Sequence, residues 1–137
     1  MGSVLVIEDE RGILGLIEAV LTRFGHRVET ALNGQEGIRK YDRGSFDVVI
    51  TDYLMPEIDG RGVLQHIRRS GRRRTPIVGM SGTPWLLHEA GFDLVLSKPF
   101  PLNQLVEAVQ HLCAGFMAPD AAAECRGGAA AVGRAAV

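Results

Sequence analysis

Lysine is nearly missing from this chain. Of its 15 basic residues, all but Lys40 and Lys98 are arginine. Where arginine is so strongly preferred, a lysine directly before Pro99 invites a chemical reason. Cysteine is equally scarce. Cys113 and Cys125 both lie late in the 137-residue chain, and no His or Cys sits at zinc-ligand spacing around them. That excludes a disulfide framework and predicts free thiols. A formal net charge of −1 gives no global attraction to nucleic acid or to an anionic membrane. No apolar run approaches the roughly 20 residues of a membrane span, and no basic segment followed by an apolar one opens the chain. The expectation is a cytoplasmic protein with no membrane partner and no direct nucleic-acid partner.

What is present is ordinary in amount and specific in order. With 46% hydrophobic and 23% charged residues, the chain has enough material for one domain with a real core. Apolar runs alternate with segments of helical periodicity, which predicts βα units and a parallel sheet. Strands are expected at about 3–7, 27–31, 47–51, 75–80 and 93–97. The second is short and mixed and belongs toward an edge, while the third is the candidate centre. A helix over 10–24 carries Ile13, Leu14, Ile17, Val20, Leu21 and Phe24 on one face and stops at Gly25. Asn33 and Glu36 form a capping pair opening a helix to about residue 41.

After the turn with Met55, Pro56, Asp59 and Gly60, a third helix is expected to end near Arg69. The run Arg68, Arg69, Arg72, Arg73, Arg74 straddles that helix end and a loop, and reads as solvated surface. Only about seven residues, 84–90, remain for a fourth helix before Gly91, so it must be short or irregular. Pro101 opens the last helix, to about Cys113, with Leu102, Leu105, Val106, Val109 and Leu112 as its buried stripe. Residues 1–113 thus form the domain, and 114–137 are an Ala/Gly-rich, flexible tail.

The residues at the ends of the apolar runs carry the chemistry. Glu8 and Asp9 follow Ile7, Asp52 follows Thr51, Ser81 follows Met80, and Lys98 follows Ser97. In an open parallel sheet, ligands collect at the carboxyl ends of strands. Three acids, a hydroxyl and an amine gathered there suit a divalent cation and a phosphoryl group. Mg²⁺ (or Mn²⁺) needs oxygen ligands and keeps several waters. Asp9 and Asp52 are the direct candidates, Glu8 acts through a water, and the backbone carbonyl of Leu54 is a further ligand. With Lys98 nearby, an ionised Asp52 can act as a nucleophile and form an acyl phosphate. A cis Lys98–Pro99 bond that turns the lysine over the pocket is expected. Leu54 and Thr83 should flank the path of an attacking water. The histidines His26, His66, His88 and His111 show no paired ligand spacing, and Trp85 is placed to cover the fourth segment. A flavin- or nucleotide-binding domain is disfavoured, since no Gly-rich phosphate loop follows the first strand.

Glu8–Asp9, Asp52-x-x-Met55-Pro56-x-x-Asp59-Gly60, Ser81 and Lys98–Pro99–Phe100 together resemble the receiver domain of two-component response regulators. The resemblance covers about residues 3–113. It implies an α/β, flavodoxin-like, doubly wound five-stranded parallel sheet in order 2-1-3-4-5 with five helices. It also implies that Asp52 is the phosphoacceptor, Glu8 and Asp9 the acidic metal pair, Ser81 the switch hydroxyl and Lys98 the phosphate-binding lysine. The donor would be a phosphohistidine on a sensor histidine kinase or phosphotransfer protein. The product is a regulatory phosphoacceptor rather than an enzyme. Two departures stand out: Val95 occupies the position where the family usually has Tyr or Phe, and the segment after Ser81 is short. They keep open a phosphorylation-independent interaction module. No effector domain follows, so a stand-alone receiver or one excised from a larger protein is expected, and homodimerisation through the last helix is open.

Overall fold

The computed structural model describes residues 2–72, 74–84 and 91–114. One sheet runs through them, built from β1 (Ser3–Ile7), β2 (Arg27–Ala31), β3 (Val48–Asp52), β4 (Ile77–Ser81) and β5 (Leu94–Ser97). All neighbours are parallel and the spatial order is β2-β1-β3-β4-β5, the flavodoxin-like order expected from the sequence. Four helices are described: α1 (Arg11–Arg23), α2 (Gly34–Arg43), α3 (Gly60–Arg68) and α4 (Leu102–Cys113). The short helix expected between β4 and β5, with Trp85 and His88, lies outside the described residues, as does the tail from residue 115 with Cys125.

All the strands but β2 are largely apolar runs because both sheet faces are covered. Alternate side chains go to opposite sides. Val4, Val6, Ile50, Val78 and Met80 pack with Leu14, Ile17 and Leu21 of α1 and with Leu105, Val106 and Val109 of α4. Leu5, Ile7, Val49 and Ile77 pack with Tyr41 of α2 and with Val63, Leu64 and Ile67 of α3. Each such fully buried aliphatic side chain contributes about 1.5–3 kcal/mol of transfer free energy. β3 is buried throughout and central, while β2 exposes Arg27 and Glu29 at its edge.

Local signals fixed several helix ends. Asn33 Oδ1 accepts from the Glu36 amide at 2.8 Å, and Glu36 Oε1 accepts from the Leu32 amide at 2.9 Å. Gly25, at φ 91°, takes the left-handed conformation after α1. Other boundaries moved. β3 and β4 start later than expected and each end one residue later, because the Tyr53 amide donates to Met80 O at 2.9 Å and the Lys98 amide to Ser81 O at 2.8 Å. Asp52 and Ser81 are therefore the last residues of their strands. Asp93 lies outside β5, where its carboxylate accepts from the Ile77 amide and from Arg68, both at 2.7 Å. Pro101 is the N-cap of α4 rather than its first helical residue, and α2 runs on to Arg43.

Two arginines of the basic run do more than face solvent. Arg68 also donates to Thr75 O at 2.8 Å. Arg72 lies 4.6 Å over the Tyr41 ring and donates to the carbonyls of Gly44 and Tyr41. The Tyr41 hydroxyl donates in turn to Arg72 O at 3.1 Å. These bonds fasten the end of α2 to the loop that leads into β4.

His26 is buried, and its Nδ1 accepts from the Gly2 amide at 3.1 Å. That bond requires the neutral ring, and burial holds the pKa below the ordinary 6.5. The unfolded chain therefore binds the proton more readily, so the contribution of His26 to stability is complete above pH 6.5. It is lost as pH falls through the folded-state value. The urea midpoint of the wild type should thus fall more steeply below pH 6.5 than that of His26→Gln, and parallel profiles would refute this.

Candidate functional site

The C-terminal ends of β1, β3 and β4 and the residues after β1 and β5 bring the charged groups together. β1 pairs with β3, β3 with β4 and β4 with β5, so their ends lie side by side. Glu8, Asp9 and Asp52 each offer a carboxylate oxygen, and these oxygens lie within 4.8 Å of one another. Among the described residues this is the one grouping of three or more acids, histidines or cysteines able to hold a metal ion. Hard oxygen donors of this kind fit a Mg²⁺-like cation.

Lys98 enters from the opposite side. Its Nζ lies 3.1 Å from Glu8 Oε1 and 3.2 Å from Asp52 Oδ1. The Lys98–Pro99 peptide is cis, as the sequence suggested. Burial disfavours the ammonium, but the bond to Glu8 and the charges of Asp52 and Glu8 outweigh it and raise its pKa. Glu8 is almost fully buried at 1% exposure. Burial, with the Asp52 charge adding to it, pushes its carboxyl up to about 7, against the opposing Glu10 amide and Lys98. Asp9 is exposed and Asp52 is at the floor, 7% exposed. The pocket thus carries excess negative charge that an added cation would neutralise.

The loop after Asp52 is tightly held. The Gly60 amide donates to Tyr53 O at 2.9 Å, and Asp59 Oδ1 caps α3 by accepting from Gly62 N at 3.0 Å. Within that loop the Leu54 side chain is 64% exposed, so it does not pack into the fold. Ser81 is buried, and its hydroxyl engages Thr83 by two contacts, Thr83 N at 2.9 Å and Thr83 Oγ1 at 3.1 Å. Sequence reasoning named both residues but missed this link, although a Ser two positions before a Thr is a signal for such a turn. Val95 is half-buried in β5. His26 and His66 stand apart from the acids. His66 Nε2 pairs with Asp42 at 2.8 Å.

The sequence profile described as response regulator receiver domain matches residues 4–110. Among curated proteins, the chain is 33% identical over 113 residues to a probable transcriptional regulator, ycf27, of Cyanidium caldarium. That match covers 79% of this chain and 45% of the relative. It is 32% identical over 114 residues to the transcriptional regulatory protein TcrA of Mycobacterium tuberculosis, covering 80% of this chain and 45% of the relative. The chain therefore spans under half the length of these relatives. Among solved structures, the response regulator TrrA of Thermotoga maritima in complex with Mg(2+)-BeF superposes with a TM-score of 0.75. It is 30% identical, covering 82% of this chain and 99% of that one.

Proposed function

The chain belongs to the receiver-domain family of two-component response regulators, and from that premise we propose that Asp52 accepts a phosphoryl group from a histidine on a partner kinase or phosphotransfer protein. The observation that carries this reading is the convergence of Glu8, Asp9, Asp52 and Lys98 at the sheet's carboxyl edge. An Asp52 carboxylate oxygen attacks phosphorus, the P–N bond to the donor imidazole breaks, and the imidazole leaves with the bonding pair. Lys98, already 3.2 Å from Asp52, then meets a phosphoryl oxygen. The Ser81 hydroxyl donates a hydrogen bond to another. Asp9 and Asp52 would hold Mg²⁺ directly, Glu8 would hold it through water, and the Leu54 carbonyl would complete the set. The ion, when bound, supplies positive charge beside the phosphoryl oxygens.

The protein is read as cytoplasmic. No helix among the described residues is long and apolar enough to cross a membrane. The test is direct. Incubated with Mg²⁺ and a small phosphodonor, the protein should gain a single phosphate by intact mass, and chelation should suppress the gain. Failure to label under conditions that label a known receiver would favour the interaction-module reading, which the aliphatic Val95 supports.

Leu54 bears on how long the phosphoryl group lasts. Its exposed, apolar side chain beside Asp52 offers a water nothing to bond to. In Leu54→Asn, one added hydrogen bond to an attacking water should shorten the phosphoprotein half-life by roughly 3- to 10-fold. An unchanged half-life would sink the idea.

A further inference from the structure

Ser81 faces two claims on one hydroxyl. Its Oγ accepts from the Thr83 amide at 2.9 Å and lies 3.1 Å from Thr83 Oγ1. Among the described residues, both of its side-chain hydrogen bonds go to Thr83. A serine hydroxyl carries a single proton. With the amide on one lone pair, a single proton, from either hydroxyl, bridges Ser81 Oγ and Thr83 Oγ1. Where Ser81 is its donor, Ser81 must turn away from Thr83 to donate to a phosphoryl oxygen on Asp52. The latch is well placed to persist: Pro84 follows, and a residue before proline is confined to extended backbone. The Thr83 backbone amide is therefore presented in a restricted direction, and Ser81 is only 2% exposed.

We propose that Thr83 is a positioning residue that holds the Ser81 hydroxyl in a resting orientation and competes for it with the incoming phosphoryl group. The strength of the Ser81–Thr83 contact then sets how readily the pocket takes up that group. This deepens the phosphoacceptor reading and rests on it. It also places restraint of the hydroxyl two residues downstream in the chain, where Val95 has no polar atom to offer.

The probe is beryllofluoride with Mg²⁺, a stable phosphoryl mimic, titrated calorimetrically and followed by fluorine NMR. Thr83→Val keeps the branched shape and loses the hydroxyl, so it should bind about 2- to 10-fold more tightly than the wild type, the loss of one competing neutral hydrogen bond. Thr83→Ser should restore wild-type affinity. In a Ser81→Ala background, Thr83→Val should change nothing. The Thr83 amide should lose its acceptor on saturation, exchanging faster with solvent. Equal or weaker binding by Thr83→Val, the same gain without Ser81, or an amide unmoved by beryllofluoride each overturns the proposal while leaving Asp52 as acceptor. If neither wild type nor Thr83→Val binds the probe, the phosphoacceptor reading fails, and this inference with it.

Discussion

Asp52→Asn is expected to gain no phosphate from a small phosphodonor and Mg²⁺, while folding as the wild type does. The carboxamide is nearly isosteric but a poor nucleophile, so no acyl phosphate forms. The fold should tolerate the change. Asp52 stands at the end of a buried strand, and its side chain supports no described backbone amide. Lys98 keeps Glu8 as a partner at 3.1 Å when Asp52 loses its charge. The variant also removes one of the influences that raise the Glu8 carboxyl, second only to burial. Intact mass and circular dichroism together check the prediction. Labelling to the wild-type extent would mean that another residue accepts the group.

Gly60→Ala should lose about 1–3 kcal/mol of stability and lower phosphate uptake at the same time. A Cβ at Gly60 would stand 2.6 Å from Asp52 O and 2.8 Å from Tyr53 Cα. Both are backbone atoms, and neither can step aside as a side-chain tip can. Relief must come from moving the start of α3 or the backbone at Asp52 itself. Gly12→Ala supplies the contrast. No atom lies within 4 Å of its Cβ position, and it sits in α1, so alanine there should stabilise by up to about 1 kcal/mol. Urea unfolding measures both. A neutral Gly60→Ala would show that the loop has slack the contacts do not suggest.

Much of this was readable from the chain because the signals are local. Four of the five strands are apolar runs closed by polar residues, so their ends named Glu8, Asp9, Asp52, Ser81 and Lys98 before any contact was known. Helix capping by Asn33 and Glu36 was legible for the same reason: both partners lie within four residues. Partners far apart in sequence were not. Arg72 reads as one of five exposed arginines until Tyr41, 31 residues earlier, comes under it. His26 showed only a lack of paired ligand spacing, and the pairing of β2 with β1 is what brings the Gly2 amide to its ring. The ends of β3 and β4 moved because a ladder bond from a neighbouring strand, not the chain's own pattern, decides where a strand stops.

The segment from Tyr53 to Asp59 is fastened at its ends and bare in its middle. The Tyr53 amide and carbonyl are both bonded, Asp59 caps α3, and Ile58 lies against Gly34. Leu54, Pro56 and Glu57 are exposed, and of these Leu54 stands nearest Asp52 in the chain. A residue so placed can be exchanged with little folding cost, whatever its size or polarity. On the proposed reading, duration of the signal would then be separable from the architecture that receives it, and one scaffold would yield regulators of brief or long memory by exchange of a single protruding side chain.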